Sequence, residues 1–594
     1  MIMPTTTGAS AGSSRPRATT PIQHLVVIFQ ENVSFDHYFG TYPVAANTSG
    51  QTFTAKPGTP AVNGLTGALL TANPNGVNPQ RYDPSNINDV LTCDQDHNYN
   101  DEQRAFDNGA MDKFPQTVGN GTSTRPAGGT CVAGDVMNYY DGNSVTALWN
   151  YAQRYSMSDN SFGTTFGPSS PGAINLVSGN TGGVDMTHAV NSPSMATAAK
   201  PNADLTADGQ GGFTLTSDAQ PYWDDCSTRD AVAMSGRNIG DELNDAGLSW
   251  GFFEGGFRPT TTFADAAAAT GNAGQPTSTF IPDEFKNGGF NASVPHSSNQ
   301  GICNAVTPVG ALLPAGQTGS GQFGYKDDYI PHHQPFQYYA STANPHHLTL
   351  PTDTYGNVPV PALRTIGHDT QTYVAGAPQF DTPNHQYDMS DFDQLVAAIQ
   401  HHKLPGSALP AVSFLKAPGY QDGHAAYSDP IDEQQFIVNE INALQRTPDW
   451  RSTAVIVLYD DSDGWYDHAY SGVTNPSQSV ADGLTGVGAC GTGTPIAGQA
   501  GRCGYAERQP LLVISPWAKR NSVDHTLTDQ SSVIRFIEDN WRLARIDGSF
   551  DAVAGSLNGL FDFRHHGHGS GNPPNGEQLI LDPASGQPVH HPGH

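Results

Sequence analysis

The sequence predicts an α/β protein built on a central, mostly parallel sheet flanked by helices, and two observations carry the prediction. The first is a pair of apolar, β-branched runs far apart in the chain, His24-Leu25-Val26-Val27-Ile28-Phe29 and Thr453-Ala454-Val455-Ile456-Val457-Leu458-Tyr459. Continuous runs of this length, apolar rather than alternating, read as strands covered on both faces. The second is the alternation of strand-like and helix-like segments through the C-terminal half, the pattern of βαβ construction. Both runs also end in acidic and amide groups, the first in Gln30-Glu31-Asn32 and the second in Asp460-Asp461-Ser462-Asp463. Ligands of open α/β sheets gather at the carboxyl ends of strands. If the two strands share one sheet, Glu31, Asn32, Asp460 and Asp461 converge on an oxygen-rich point suited to a hard divalent cation.

The elements follow in order. Residues 1–20 are rich in Ser, Thr and Gly, lack the apolar stretch of a signal peptide, and are expected to be flexible. Residues 21–42 give the first strand and its loop, and 44–135 read as polar loop with a dense knot at Cys93-Asp94-Gln95-Asp96-His97-Asn98. A helix is expected from Ser144 to Tyr155, where Val145, Leu148, Trp149 and Ala152 share a face. Phe166-Gly167-Pro168-Ser169-Ser170-Pro171 is a turn leading into another. The stretch from about 180 to 330, rich in Gly, Ser, Thr and Ala, is expected to be an insertion forming a cap or lid. It holds a helix-like segment, Ile239 to Asp245, and a strand, Ser249 to Phe253. Then come a polar and aromatic knot from Tyr329 to His347, a helix over 390–402, a strand over 411–416, a helix over 431–445 and a strand over 511–515. Thr528-Asp529 caps a helix over 531–541. The catalytic domain is expected to span 21–563, followed by a flexible, His-rich tail over 564–594 that binds metal only adventitiously.

Composition narrows the function. The chain has 594 residues and a formal charge of -29, which excludes nucleic acid as a partner. An anionic substrate needs a local cation to enter. No run approaches the roughly 20 apolar residues that span a bilayer. The six cysteines are scattered among loops without a close pair, which fits disulfides in a secreted or periplasmic protein better than zinc. Cys490 with Cys503 closes a Gly-rich loop; Cys93 with Cys131 and Cys226 with Cys303 follow by order. Oligomeric state is not legible.

Adjacent carboxylates such as Asp460 and Asp461 repel each other unless a cation lies between them, and Asp463, Asp467 and His468 follow close behind. Ser169, at the start of a helix, lies near the positive end of its dipole, where metal contact makes a hydroxyl a nucleophile. An ordinary N-cap is the competing explanation, and Ser170 the competing residue. His97, His332, His333 and His424 sit in polar contexts from which imidazole can hold a phosphoryl oxygen or protonate a leaving group.

The segment from Ile22 to Thr41 closely resembles the opening signature of the bacterial phosphoesterase family of acid phosphatases and phospholipases C. The resemblance recurs over 93–114, 167–179, 328–339, 421–430 and 458–468. It implies an alkaline-phosphatase-like α/β fold with one active-site divalent metal, whether Ca, Mg, Mn, Zn or Fe. Glu31, Asn32, Asp460 and Asp461 look like its ligands, with Ser169 completing the shell as nucleophile. His97, His333 and His424 look like the residues lining the phosphate pocket with Asn32. His424 is best placed to act on the leaving group, and His332 is the alternative to His333. Val33 stands where the phospholipases commonly show Arg, and Asp460-Asp461-Ser462-Asp463-Gly464 replaces their Asp-Glu-His-Gly-Gly pattern. The chain also stops soon after Phe563, without their extra C-terminal domains. These departures favour a secreted acid phosphatase acting on phosphomonoesters through a phosphoserine. The alternatives are a phospholipase C acting on phosphatidylcholine-type lipid, with Trp250-Gly251-Phe252-Phe253 as its lid, and a non-catalytic metal- or phosphate-binding surface protein.

Overall fold

Strands His24–Gln30 and Thr453–Tyr459 lie side by side and parallel, paired residue for residue from His24 with Thr453 to Gln30 with Tyr459. The computed structural model describes residues 16–119, 121–190, 204–227, 229–258, 305–313, 323–351, 358–564, 573, 575–576 and 578–589. We number the eight strands of the main sheet β1 (His24–Gln30), β2 (Ser156–Ser158), β3 (Trp250–Glu254), β4 (Gln386–Asp388), β5 (Val412–Lys416), β6 (Thr453–Tyr459), β7 (Leu511–Ile514) and β8 (Ser522–Asp524). Their order is β4-β3-β5-β1-β6-β7-β2-β8. Only β7 runs against its two neighbours. Every residue of β1 and β6 is buried, which explains why both sequences are apolar between their ends.

The helices that position the site are α1 (Phe35–Phe39), α2 (Tyr99–Phe106), α3 (Thr146–Arg154), α4 (Ser169–Ser178), α5 (Ile239–Asp245), α6 (Met389–Gln400), α7 (Pro430–Gln445) and α8 (Ser531–Trp541). They flank the sheet in two packed groups, α4 against α8 and α5, and α7 against α3 and α6. Side chains fix several starts: Asp388 accepts from Ser390 N, and Asp429 from Ile431 N and Asp432 N. Thr528-Asp529 forms a short strand paired with Ser161-Phe162, and Asp529 Oδ2 accepts from Ser531 Oγ at 2.7 Å.

Several expectations change. The proposed lid Trp250-Gly251-Phe252-Phe253 is instead β3, paired with both β4 and β5, and its three aromatic rings are fully buried. Exposing each would cost roughly 1.5–3 kcal/mol, so this segment covers no substrate. The stretch from 180 to 330 is therefore not only a cap, because it supplies a buried strand to the main sheet. The loop expected over 44–135 contains α2 and shorter helices, gathered around a second apolar cluster that includes Tyr99, Phe106, Phe114 and Phe166. The stretch placed in a flexible tail is in part docked: Leu581 is buried, its carbonyl accepts from Asn442 Nδ2 at 2.8 Å, and Leu579 N donates to Gln445 Oε1 at 2.7 Å. At the other end Thr19 N donates to Asn540 O at 2.7 Å. Residues 1–15 and all six tail histidines lie outside the described residues.

Disulfides join Cys93 to Cys131 and Cys490 to Cys503, as their order along the chain suggests; Cys303 lies outside the described residues. Among the described residues no helix is long and apolar enough to cross a membrane.

Candidate active site

Because Gln30 pairs with Tyr459, Glu31 and Asp460 leave neighbouring strands side by side. The two loops then lock together. Asn32 N and Asp461 N both donate to Asp460 Oδ1, at 2.9 and 2.7 Å, and Val33 N donates to Asp461 O at 3.0 Å. Asp463 N donates to Asp461 Oδ1 at 2.6 Å, and Asn32 Nδ2 to Asp463 Oδ1 at 3.0 Å. Asn32 and Asp463 adopt left-handed backbone, φ 58° and 55°. Asn and Asp are the side chains that tolerate this region best, and such geometry concentrates at functional sites. A buried cluster behind the loops braces them: Arg508 Nη2 lies 3.0 Å from Asp36 Oδ1 and 3.1 Å from Asp467 Oδ2, and His468 Nδ1 lies 2.6 Å from Asp36 Oδ2. Asp467 and His468, close to the acidic motif in sequence, thus serve that brace.

Ser169 is the first residue of α4. The helix approaches the end of β6 so closely that a Cβ at Gly172 would lie 2.3 Å from Asp460 O. Only glycine allows this contact, and it brings Ser169 Oγ to 3.0 Å from Glu31 Oε2, 3.1 Å from Asp461 Oδ2 and 3.5 Å from Asn32 Oδ1. Ser170 turns elsewhere, its Oγ donating to Ala219 O at 3.1 Å and accepting from Tyr338. Glu102 of α2 joins the two sides, accepting from Gly167 N at 2.8 Å and from Ser462 Oγ at 3.2 Å. Gly172→Ala is expected to push Ser169 away from the acids and to lower kcat about 100-fold, the order of loss that a 1 Å misplacement brings. Steady-state kinetics beside a thermal melt checks this, since general unfolding would lower Tm without a selective loss of kcat.

The electrostatics show which ion the site suits. Glu31, Asn32, Ser169, Asp460 and Asp461 are all buried, with Lys416 Nζ on Glu31 Oε1 as the adjoining cation. Burial, reinforced by Asp460, drives the Glu31 carboxyl well above its usual range, and the same two causes push Asp461 up to about 8. Asp460 is also penalised by burial, but Lys416 and its hydrogen bonds outweigh that and hold it low. Its second oxygen, Oδ2, is buried with no hydrogen-bond partner. Crowded carboxyl oxygens, an amide oxygen, a hydroxyl and an orphaned acceptor suit a hard divalent cation. The residues fit such an ion, and Glu31, Asn32, Ser169, Asp460 and Asp461 are those that would hold it. Next to them Asp94, His97 and Asp463 form a further cluster, their ligand atoms within 4.8 Å of one another.

Four histidines surround this point. His333 is buried, with Nε2 at 3.2 Å from Glu31 Oε2 and Nδ1 at 3.8 Å from Asp422 Oδ2, and burial keeps it neutral. Its neighbour His332 turns outward to Arg229 Nη2 at 3.2 Å. His97 and His424 face each other with ring centroids 6.5 Å apart. Their protonation differs. Burial alone would lower His97, but Asp461, Asp94 and Asp218 outweigh it and raise the imidazole to about 9. Burial lowers His424 to about 4, and its Nδ1–H donates to Ala425 O at 2.6 Å.

The structure brings together every site residue the sequence singles out, with His332 at the margin. It adds Lys416, Asp422, Asp218 and Glu102. Lys416 had a local signal, a lysine closing the apolar strand Val412-Ser413-Phe414-Leu415, because buried lysines need a partner. Asp218 and Glu102 come from distant segments and had none.

A model of the phosphoesterase family matches residues 22–287 and 289–544. The hemolytic phospholipase C of Pseudomonas aeruginosa is 33% identical over 183 residues, 30% of this chain and 23% of its own length. The non-hemolytic phospholipase C of the same organism is 31% identical over 166 residues, 26% of this chain and 24% of its own. Non-specific phospholipase C6 of Arabidopsis thaliana is 30% identical over 144 residues, covering 23% and 24%. The chain spans about a quarter of the length of these relatives.

Proposed function

The chain belongs to the phosphoesterase family, and from that premise we propose an exported acid phosphatase of alkaline-phosphatase-like architecture that hydrolyses phosphomonoesters through a phosphoserine at Ser169. One observation carries the reading: a helix-start hydroxyl held 3.0 to 3.5 Å from three oxygens of Glu31, Asp461 and Asn32, with imidazoles gathered around it. Two disulfides support export to an oxidising compartment.

Glu31, Asn32, Asp460, Asp461 and Ser169 would hold a divalent cation, whose positive charge would favour the serine alkoxide and offset the charge on the phosphoryl oxygens. Ser169 Oγ forms the bond to phosphorus as the ester P–O bond breaks in line with it. The α4 N-terminus, His333 and Asn32 hold the nonbridging oxygens. His97 gives its proton to the departing alcohol oxygen. A water then attacks phosphorus, its proton passes to the neutral His97, and the Oγ–P bond breaks to release phosphate. The family resemblance favours His424 as the acid; we assign the role to His97, whose imidazole Asp461, Asp94 and Asp218 raise to about 9, against about 4 for the buried His424. His97→Gln is expected to lower kcat about 100- to 1,000-fold, whereas His424→Gln should act mainly on KM. Equal losses of kcat in the two variants would return the acid role to His424.

A second reading, phospholipase C activity, is favoured by the names of the relatives. It has lost its lid, since Trp250 to Phe253 is a buried strand. Comparing p-nitrophenyl phosphate with phosphatidylcholine vesicles decides between them: faster monoester turnover supports the phosphatase, faster phosphocholine release the phospholipase, and turnover of neither a non-catalytic binding protein.

A further inference from the structure

We propose that Arg229 and Lys326 form a cationic rim over the histidines, which selects the dianionic phosphate of a monoester and disfavours a choline-bearing diester. The inference rests on the phosphatase reading and extends it to substrate class.

The two cations reach the site through different histidines. Arg229 Nη2 lies 3.2 Å from His332 Nδ1, and the His332 ring is 4.5 Å from that of His333, which touches Glu31 beside Ser169. Lys326 Nζ lies 3.7 Å over the Tyr427 ring, which stacks at 4.2 Å on His424. Both belong to the stretch from 180 to 330: Arg229 precedes the strand Ala231–Met234, and Lys326 lies in the hairpin of Val306–Pro308 with Tyr325–Asp327.

Neither cation sits in a close ion pair among the described residues, although Asp218 and Asp204 attract Arg229 and Asp422 and Asp327 attract Lys326 from further off. The Arg229 side chain is 44% exposed, and its carboxylate neighbour, Asp218 Oδ2, stands 4.0 Å away. No carboxylate lies within 4.0 Å of Lys326 among the described residues. In a chain with 56 acidic and 27 basic residues, two cations beside one site are the local attraction an anionic substrate needs. Their field also reaches His332, which burial holds well below its usual range and which Arg229 and Lys326 lower further. A terminal phosphate carries close to two negative charges against one for a diester, so this rim rewards the monoester more. A quaternary ammonium brought to the same site meets like charge.

The test uses the intact chain loaded with its metal, with Arg229→Gln and Lys326→Gln made singly and together. The substrates are p-nitrophenyl phosphate and p-nitrophenylphosphorylcholine. Each single variant is expected to raise the monoester KM about tenfold with kcat nearly unchanged, to leave or improve choline-diester hydrolysis, and to weaken the salt dependence of KM. Arg229→Lys should recover most of the monoester affinity. An unchanged ratio of monoester to diester efficiency, or a loss confined to kcat, overturns the rim while leaving the phosphatase reading in place. A wild type that turns over no phosphomonoester overturns both.

Discussion

Ser169→Ala is expected to lower kcat for p-nitrophenyl phosphate by at least about 10⁴-fold, the scale seen when a covalent nucleophile is removed and only binding and charge stabilisation remain. The fold should survive. Ser169 is buried, but its hydroxyl contributes one hydrogen bond within an already acidic cluster, a loss on the order of 1 kcal/mol. Ser170→Ala should retain most of the activity, because its hydroxyl is spent on Ala219 O and Tyr338. Near-normal turnover by Ser169→Ala would sink the assignment, and equal losses in the two variants would mean a general effect on α4.

Asp461→Asn is expected to produce opposite effects on activity and on the stability of the metal-free protein. Turnover should fall at least about 100-fold, because the site loses a charged metal ligand. The stability effect follows from the Asp461 carboxyl, raised in the fold to about 8 by burial and by Asp460, against about 3.9 when unfolded. A group whose folded pKa is raised costs nothing below its unfolded pKa. Its cost grows as pH rises from about 4 and is complete above about 8. In chelator at pH 8 the variant should therefore melt about 2 °C or more above the wild type, and the order should reverse once a divalent cation is added. A variant less stable than wild type under both conditions would mean that Asp461 is structural.

The sequence made the strands legible because β1 and β6 are buried on both faces, so their composition needed no partner to interpret. Their chemistry was legible because Glu31, Asn32, Asp460 and Asp461 follow the strands directly. Helix ends marked by side chains were readable too: the helix expected from Ser390 begins at Met389, where Asp388 caps it. What escaped was what depends on distant segments. Trp250-Gly251-Phe252-Phe253 has the composition of a lid or a strand, and only pairing with β4 and β5 decides. Helix α2 has just eight residues and few apolar ones, too short for a period, yet its Glu102 ties the Ser169 turn to the Asp460 loop. His97 and His424 looked alike in sequence. Their difference in charge arises because Asp461, Asp94 and Asp218 outweigh burial at His97, whereas burial prevails at His424.

The most direct test of this account is to find where phosphate is carried during turnover. Metal-loaded protein mixed with excess p-nitrophenyl phosphate, quenched in acid within milliseconds and digested, should yield a phosphorylated peptide containing Ser169, absent from Ser169→Ala. Full turnover with the peptide unmodified at every time, or with phosphate on Ser170 instead, would contradict the claim that the acids at the ends of β1 and β6 serve Ser169 as nucleophile.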